Sequence, residues 1–187
     1  MLGSESIEAD AQAAEFCNVY RDYYPQVFRY MRRRTDEESA LDATADTFLV
    51  AWRRLDDLPE GDSILPWLYG VARRVLSNQR RGQRRWRALS SKVAATTSTS
   101  VASVEATVVP EDHVQTVLDA MARLRPGDRE VLQLAQWEEL SHAEIGVVLG
   151  CSAHAVDQRM HRAMRRLKSE LPRDWKASGR NGEGGSP

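Results

Sequence analysis

Apolar side chains recur every three or four positions through most of this chain, the spacing that lines one face of a helix. The first such stripe begins near Ala9 and holds Phe16, Val19, Tyr20, Tyr23, Val27, Tyr30 and Met31, with Pro25 as a potential kink. Arg32, Arg33 and Arg34 close it, where cations suit the negative end of the helix dipole. Thr35-Asp36-Glu37-Glu38 reads as a capping box opening a second helix to about Arg54. Its inward positions are Ala40, Ala43, Thr47, Phe48, Ala51, Trp52 and Leu55. A Pro/Gly/Asp loop over 56–63 follows, and a third helix starts near Ile64 and turns Arg-rich after Leu76.

A second helical block starts after Pro110, with Val114, Val117, Leu118, Met121 and Leu124 in one stripe. Pro126-Gly127-Asp128 predicts a break, with a further helix from Arg129 to Trp137. Ser141 and Glu144 then form an S-x-x-E capping box before Ile145, Val148 and Leu149. Gly150 falls where a left-handed helix end suits glycine, and Ser152 is placed to cap one more helix. There Val156, Met160, Ala163 and Leu167 share the buried face, while His154, Gln158, His161, Arg162 and Arg165 share another. Two short helices, a tight turn and a basic second helix are the layout of a helix-turn-helix, whose second helix enters the DNA major groove. Such units also bind proteins, and a basic amphipathic helix is often only a solvated surface.

Between the blocks, Ala, Ser, Thr and Val dominate residues 88–110 without helical periodicity. Thr and Val would suit a hairpin, but the turn residues are missing. The fold is therefore expected to be all-α: two small helical domains over 1–87 and 111–171, a flexible linker over 88–110, and a disordered tail over 172–187.

Net charge adds a different fact. The total is −1, yet Gly61 to Lys92 holds eight basic residues against one acidic residue, Asp62. That segregation is the footprint of a phosphate-binding surface. Cys17 and Cys151 form no C-x-x-C pair, which fits a reducing cytoplasm and neither a metal nor a disulfide framework. No apolar run is long enough to span a membrane, and the acidic N-terminus is no signal peptide. No Gly-rich phosphate loop, H-E-x-x-H or nucleophile elbow is present, and His154 and His161 are two turns apart, too far for one metal without other ligands. The chain is expected to be no enzyme, with no catalytic residues, no cofactor and no metal.

Four segments in this order carry a family resemblance: DATADTFLVAWRRLDDL (42–58), LPWLYGVARRVLSNQRR (65–81), MARLRPGDREVLQL (121–134) and LSHAEIGVVLGCSAHAVDQRMHRAMRRLK (140–168). Together they resemble bacterial RNA polymerase sigma factors of the extracytoplasmic-function (ECF) type. The resemblance implies a region 2 domain, a linker and a region 4 domain. It implies binding to core RNA polymerase (the β′ and β subunits), promoter DNA and an anti-sigma factor, and promoter-specific transcription initiation in the cytoplasm. On the family pattern, Asp42, Asp46, Phe48 and Trp52 meet the polymerase, although Phe48 reads better as a core position. Asp57, Asp62, Ser63, Trp67, Arg73, Arg74, Asn78 and Arg81 fall at −10 DNA positions, Trp67 being alternatively core. Ser141, His154, Asp157, Gln158, Arg159, His161, Arg162 and Arg165 fall at −35 positions. Asp157 stands where the family commonly has a basic residue, and Ala45 where it often has Gln. The competing reading is a helix-turn-helix repressor or activator with a helical sensor domain, which would bind operator DNA without polymerase.

Overall fold

The computed structural model describes residues 2–90 and 111–172. Within them lie helices α1 (Leu2–Arg32), α2 (Glu37–Arg53), α3 (Ile64–Ser90), α4 (Glu111–Arg123), α5 (Pro126–Gln136), α6 (His142–Leu149) and α7 (Ala153–Glu170), and no strand among the described residues. Two 3₁₀ turns, Leu55–Asp57 and Gly61–Ser63, join α2 to α3. The chain forms two compact units. Helices α1–α3 belong to the first, and α4, α5 and α7 to the second. Helix α6 is described with α7, whose turn it shares.

In the first unit α1, α2 and α3 pack pairwise. Val19, Val27, Phe48, Ala51 and Leu68 form the buried centre, with Phe16, Tyr23, Tyr24, Leu58, Ile64 and Trp67 packed against it. Tyr30, fully buried, stacks on Tyr69 with ring centroids 4.9 Å apart. Thr44 and Thr47 are buried in α2 because their hydroxyls donate back to the carbonyls of Ala40 and Ala43, each at 2.7 Å. That back-bonding satisfies a polar group that burial would otherwise penalise. Sequence periodicity placed Thr47 inward but passed over Thr44, whose hydroxyl hides the same device.

Several expected boundaries shift. Helix α1 starts at Leu2, not near Ala9, and continues through Pro25. The capping box expected at Thr35–Glu38 is replaced by a one-residue cap: Asp36 accepts from the Ser39 N–H at 3.0 Å. A carboxylate beside the positive end of a helix outcompetes the neutral threonine hydroxyl. At the end of α1, Arg34 donates to the Tyr30 carbonyl at 2.9 Å and lies 3.6 Å from its ring centroid, while Arg32 pairs with Glu37 at 2.5 Å. Leu55 is not part of α2 but begins the first 3₁₀ turn, and Trp52 is exposed rather than inward. Helix α3 runs to Ser90, so residues 88–90 of the expected linker are helical; the rest of that linker and the tail from 173 lie outside the described residues.

In the second unit α7 packs on α5 and α4. Its core gathers Ala120, Met121, Leu124, Val131, Leu132, Leu134, Leu140, Ile145, Val156 and Ala163. Pro126-Gly127-Asp128 does not break the chain ahead of α5 but forms its first turn, with Pro126 at N1. Proline costs nothing there, since its missing N–H would have had no partner in the helix. Arg129 ties α5 to the end of α4 by donating to the carbonyls of Met121 at 2.9 Å and Leu124 at 3.2 Å. Arg123 pairs with Glu170 at 3.0 Å, and Asp128 with Arg166, so both earlier helices hold α7.

Candidate functional site

The turn between α6 and α7 is built by four local devices. Ser141 and Glu144 cap reciprocally: the Ser141 N–H donates to the Glu144 carboxylate at 2.7 Å, and the Glu144 N–H donates to the Ser141 hydroxyl at 3.3 Å. The helix then ends in a Schellman turn. The Cys151 N–H donates to the Gly146 carbonyl at 2.9 Å and Gly150 sits at φ +67°. Gly146 is required as well, because a Cβ there would lie 2.6 Å from the Cys151 carbonyl oxygen. Ser152 caps α7 by accepting from the Ala155 N–H at 3.2 Å.

These devices fix the rotation of α7. Val156 and Ala163 are fully buried, and Met160 and Leu167 half-buried. His154, Asp157, Gln158, Arg159, His161, Arg162 and Arg165 are all exposed. Three of these polar side chains are engaged with neighbours. Gln158 Nε2 lies 3.0 Å from His154 Nε2, and Asp157 lies 3.6 Å from His142 Nδ1 at the start of α6. Ser141, expected at a −35 position, is part of the cap. Its hydroxyl also donates to Glu144 at 2.6 Å, so the side chain is committed to the cap.

In the first unit a cationic face runs along α3. At 100° per residue, Trp67, Arg73, Arg74, Asn78, Arg81, Arg84 and Arg85 fall within an arc of about 140° and span about 27 Å of helix. No acidic residue lies between 63 and 90. Arg74, Asn78, Arg81, Arg84 and Arg85 are exposed and Arg73 half-buried; Arg81 donates to the Asn78 amide oxygen. Arg80 is partly engaged, donating to the Arg34 carbonyl at 3.0 Å. Trp67 is half-buried against the core, with the Arg54 guanidinium 5.6 Å from its ring centroid.

The segment leading into α3 is more ordered than a loop. Asp57 is held by Arg54 at 2.9 Å, while Asp62 and Ser63 are exposed in the second 3₁₀ turn. A cleft of about 590 Å³ separates this segment from α1, lined by Glu15, Asn18, Asp22, Tyr23, Asp56 and Glu60 among others. Asp57, Asp62 and Ser63 are not among its walls. The α1 residues of that wall escape sequence reading, because nothing in a helix's own periodicity says which loop will fold against it.

On the outer face of α2, Asp42 and Asp46 are exposed, with Gln79 donating to Asp46 at 3.5 Å. Leu41, Leu49 and Trp52 are exposed beside them, at 48%, 46% and 42%. Trp52 meets Phe16 edge-on at 5.0 Å. Phe48 is 2% exposed, so its expected contact with a partner is corrected to a core role beneath that face. Leu41 and Leu49 were missed. Their signal was available, since each stands one position off the buried stripe of α2.

Among the described residues no three His, Cys, Asp or Glu side chains gather as a metal site, and no helix is long and apolar enough to cross a membrane. Cys17 and Cys151 are both free thiols.

Comparison with known proteins agrees with this division. Residues 19–86 match the Sigma-70 region 2 family and residues 115–167 match Sigma-70, region 4. The chain is 31% identical over 156 residues to the RNA polymerase sigma factor YlaC of Bacillus subtilis, covering 82% of this chain and 90% of that protein. It is 31% identical over 173 residues to the ECF RNA polymerase sigma factor SigL of Mycobacterium tuberculosis, covering 87% and 92%. In fold it is similar to the sigma factor RpoE of Bartonella quintana, solved with the anti-sigma factor NepR. The TM-score is 0.64 at 20% identity, over 83% of this chain and 96% of that one. This chain belongs to the ECF group of bacterial RNA polymerase sigma factors, which direct core polymerase to promoters.

Proposed function

We propose a division of that task among three faces. The outer face of α2 docks core polymerase: Asp42 and Asp46 supply charge, and Leu41, Leu49 and Trp52 supply the apolar contact that a mixed interface needs. The cationic face of α3 carries the −10 strand on Arg73, Arg74, Asn78 and Arg81, with Trp67 at its start. The segment 56–63, bearing Asp57, Asp62 and Ser63, stands beside it. Arg-lined grooves and aromatic faces hold single strands by charge and stacking. Helix α7 reads the −35 element through Gln158 and Arg162, with His154, Arg159, His161 and Arg165 on the same surface.

On this reading the first unit acts as region 2 (1–87), the second as region 4 (111–171), and 88–110 tethers them. The protein acts in the cytoplasm as a non-enzymatic regulator held by an anti-sigma factor until induction. Relatives of this fold have been solved with such partners.

The observation that carries the reading is the exposed polar face of α7, presented by the Ser141–Glu144 and Ser152 caps on a buried Val156–Ala163 stripe. Run-off transcription tests it. Core polymerase with this chain should start transcripts at a discrete site on cognate DNA, and core polymerase alone should not. Failure to form a holoenzyme at micromolar concentration overturns it.

A further inference from the structure

We propose that His154 is a positioning residue that orients the Gln158 amide to read adenine in the −35 element. This rests on the reading of α7 as the −35 helix and names how one of its base contacts is made specific.

The two residues are four apart on α7, both exposed, with Gln158 Nε2 3.0 Å from His154 Nε2. An amide nitrogen can only donate. In the tautomer that carries its proton on Nδ1, the ring nitrogen accepts this bond. This contact consumes one amide N–H. It leaves the other N–H and the carbonyl Oε1 to meet a base. That donor–acceptor pair matches the adenine edge in the major groove, where N7 accepts and N6–H donates.

The match depends on order as well as on composition. A half-turn of the amide about its last torsion exchanges Oε1 and Nε2, and with them the order of acceptor and donor along the base edge. A free glutamine side chain samples both orders. In that tautomer the ring of His154 selects one, because the exchanged amide would set its carbonyl lone pair against the unprotonated ring nitrogen. Asp157, the only acidic side chain on this face, does not compete for the amide: it is drawn to His142 on the preceding helix. Sequence alone shows two polar residues at i and i+4. The 3.0 Å contact between them comes from the structure.

The test is holoenzyme binding to a promoter library randomised over the −35 element, read as the preference for each base at each position. Wild type should prefer adenine at one position by about tenfold, the strength of one bidentate base contact. Gln158→Ala should remove that preference. His154→Ala should weaken it about threefold to tenfold, the cost of ordering a free side chain on binding, and any loss of overall affinity should fall equally on all library members. His154→Asn places a carbonyl acceptor at the same i,i+4 spacing and should restore most of the preference, which a merely structural role for His154 would not do. If Gln158→Ala flattens one position while His154→Ala leaves it intact, the inference is overturned and the −35 reading stands. If Gln158→Ala changes no position, Gln158 reads no base and the inference falls with that contact.

Discussion

Asp36 accepts a 3.0 Å hydrogen bond from the backbone N–H of Ser39, and this one contact ties the start of α2 to solution pH. The Ser39 N–H favours the ionised carboxylate and holds its pKa below the ordinary value of 3.8. The folded pKa is depressed, so this contribution is fully present above the unfolded pKa and is lost as pH falls through the folded one. Acid titration of the first unit, followed by helicity, should show the loss below about pH 4. Asp36→Asn keeps an acceptor but removes the charge. It should leave stability near neutral pH little changed and flatten the acid limb; an unaltered acid limb would show that other carboxylates set it.

The outer face of α2 should tolerate mutation in folding but not in assembly. Asp42→Lys with Asp46→Lys should leave helical content unchanged, because exposed carboxylates contribute little to stability. Placing like charges at an interface costs on the order of several kcal/mol, so binding to core polymerase should weaken at least about tenfold. Unchanged affinity in a titration with labelled core enzyme would return both carboxylates to a solvated surface.

Phe48 and Trp52 are four residues apart and should behave oppositely. Phe48→Ala empties a site that is 2% exposed and should destabilise the first unit by about 3–5 kcal/mol. Trp52→Ala, at a position 42% exposed, should cost folding much less and show instead as weaker polymerase binding. Thermal unfolding and binding on the same two variants separate the roles. Equal destabilisation would place Trp52 in the core.

Arg162 is expected to bind phosphate. Arg162→Ala should weaken all promoter variants alike and reduce the salt dependence of binding by about one ion. A loss confined to one base position would make it a base-reading residue.

The sequence reading was strongest where a residue's local pattern decides its structure. The Ser141–Glu144 box, the left-handed Gly150 and the Ser152 cap are all short-range devices, and each is present with hydrogen bonds to match. It failed where two local devices compete or where tertiary contacts decide. Asp36 displaced Thr35 as a cap, and Pro126 opened a helix where a break was expected. The α1 wall of the cleft depends on which helix the loop meets, and a single stripe of apolar residues carries only part of that information.

The most direct test of the central account is a gel-shift titration of promoter DNA with this chain alone, with core polymerase alone, and with both. A sigma factor acts through the polymerase. The account predicts a sequence-specific complex that forms only when both are present and is lost when the −35 element is scrambled. A specific shift by the chain alone, with no further change on adding core polymerase, would contradict it and identify a polymerase-independent helix-turn-helix regulator.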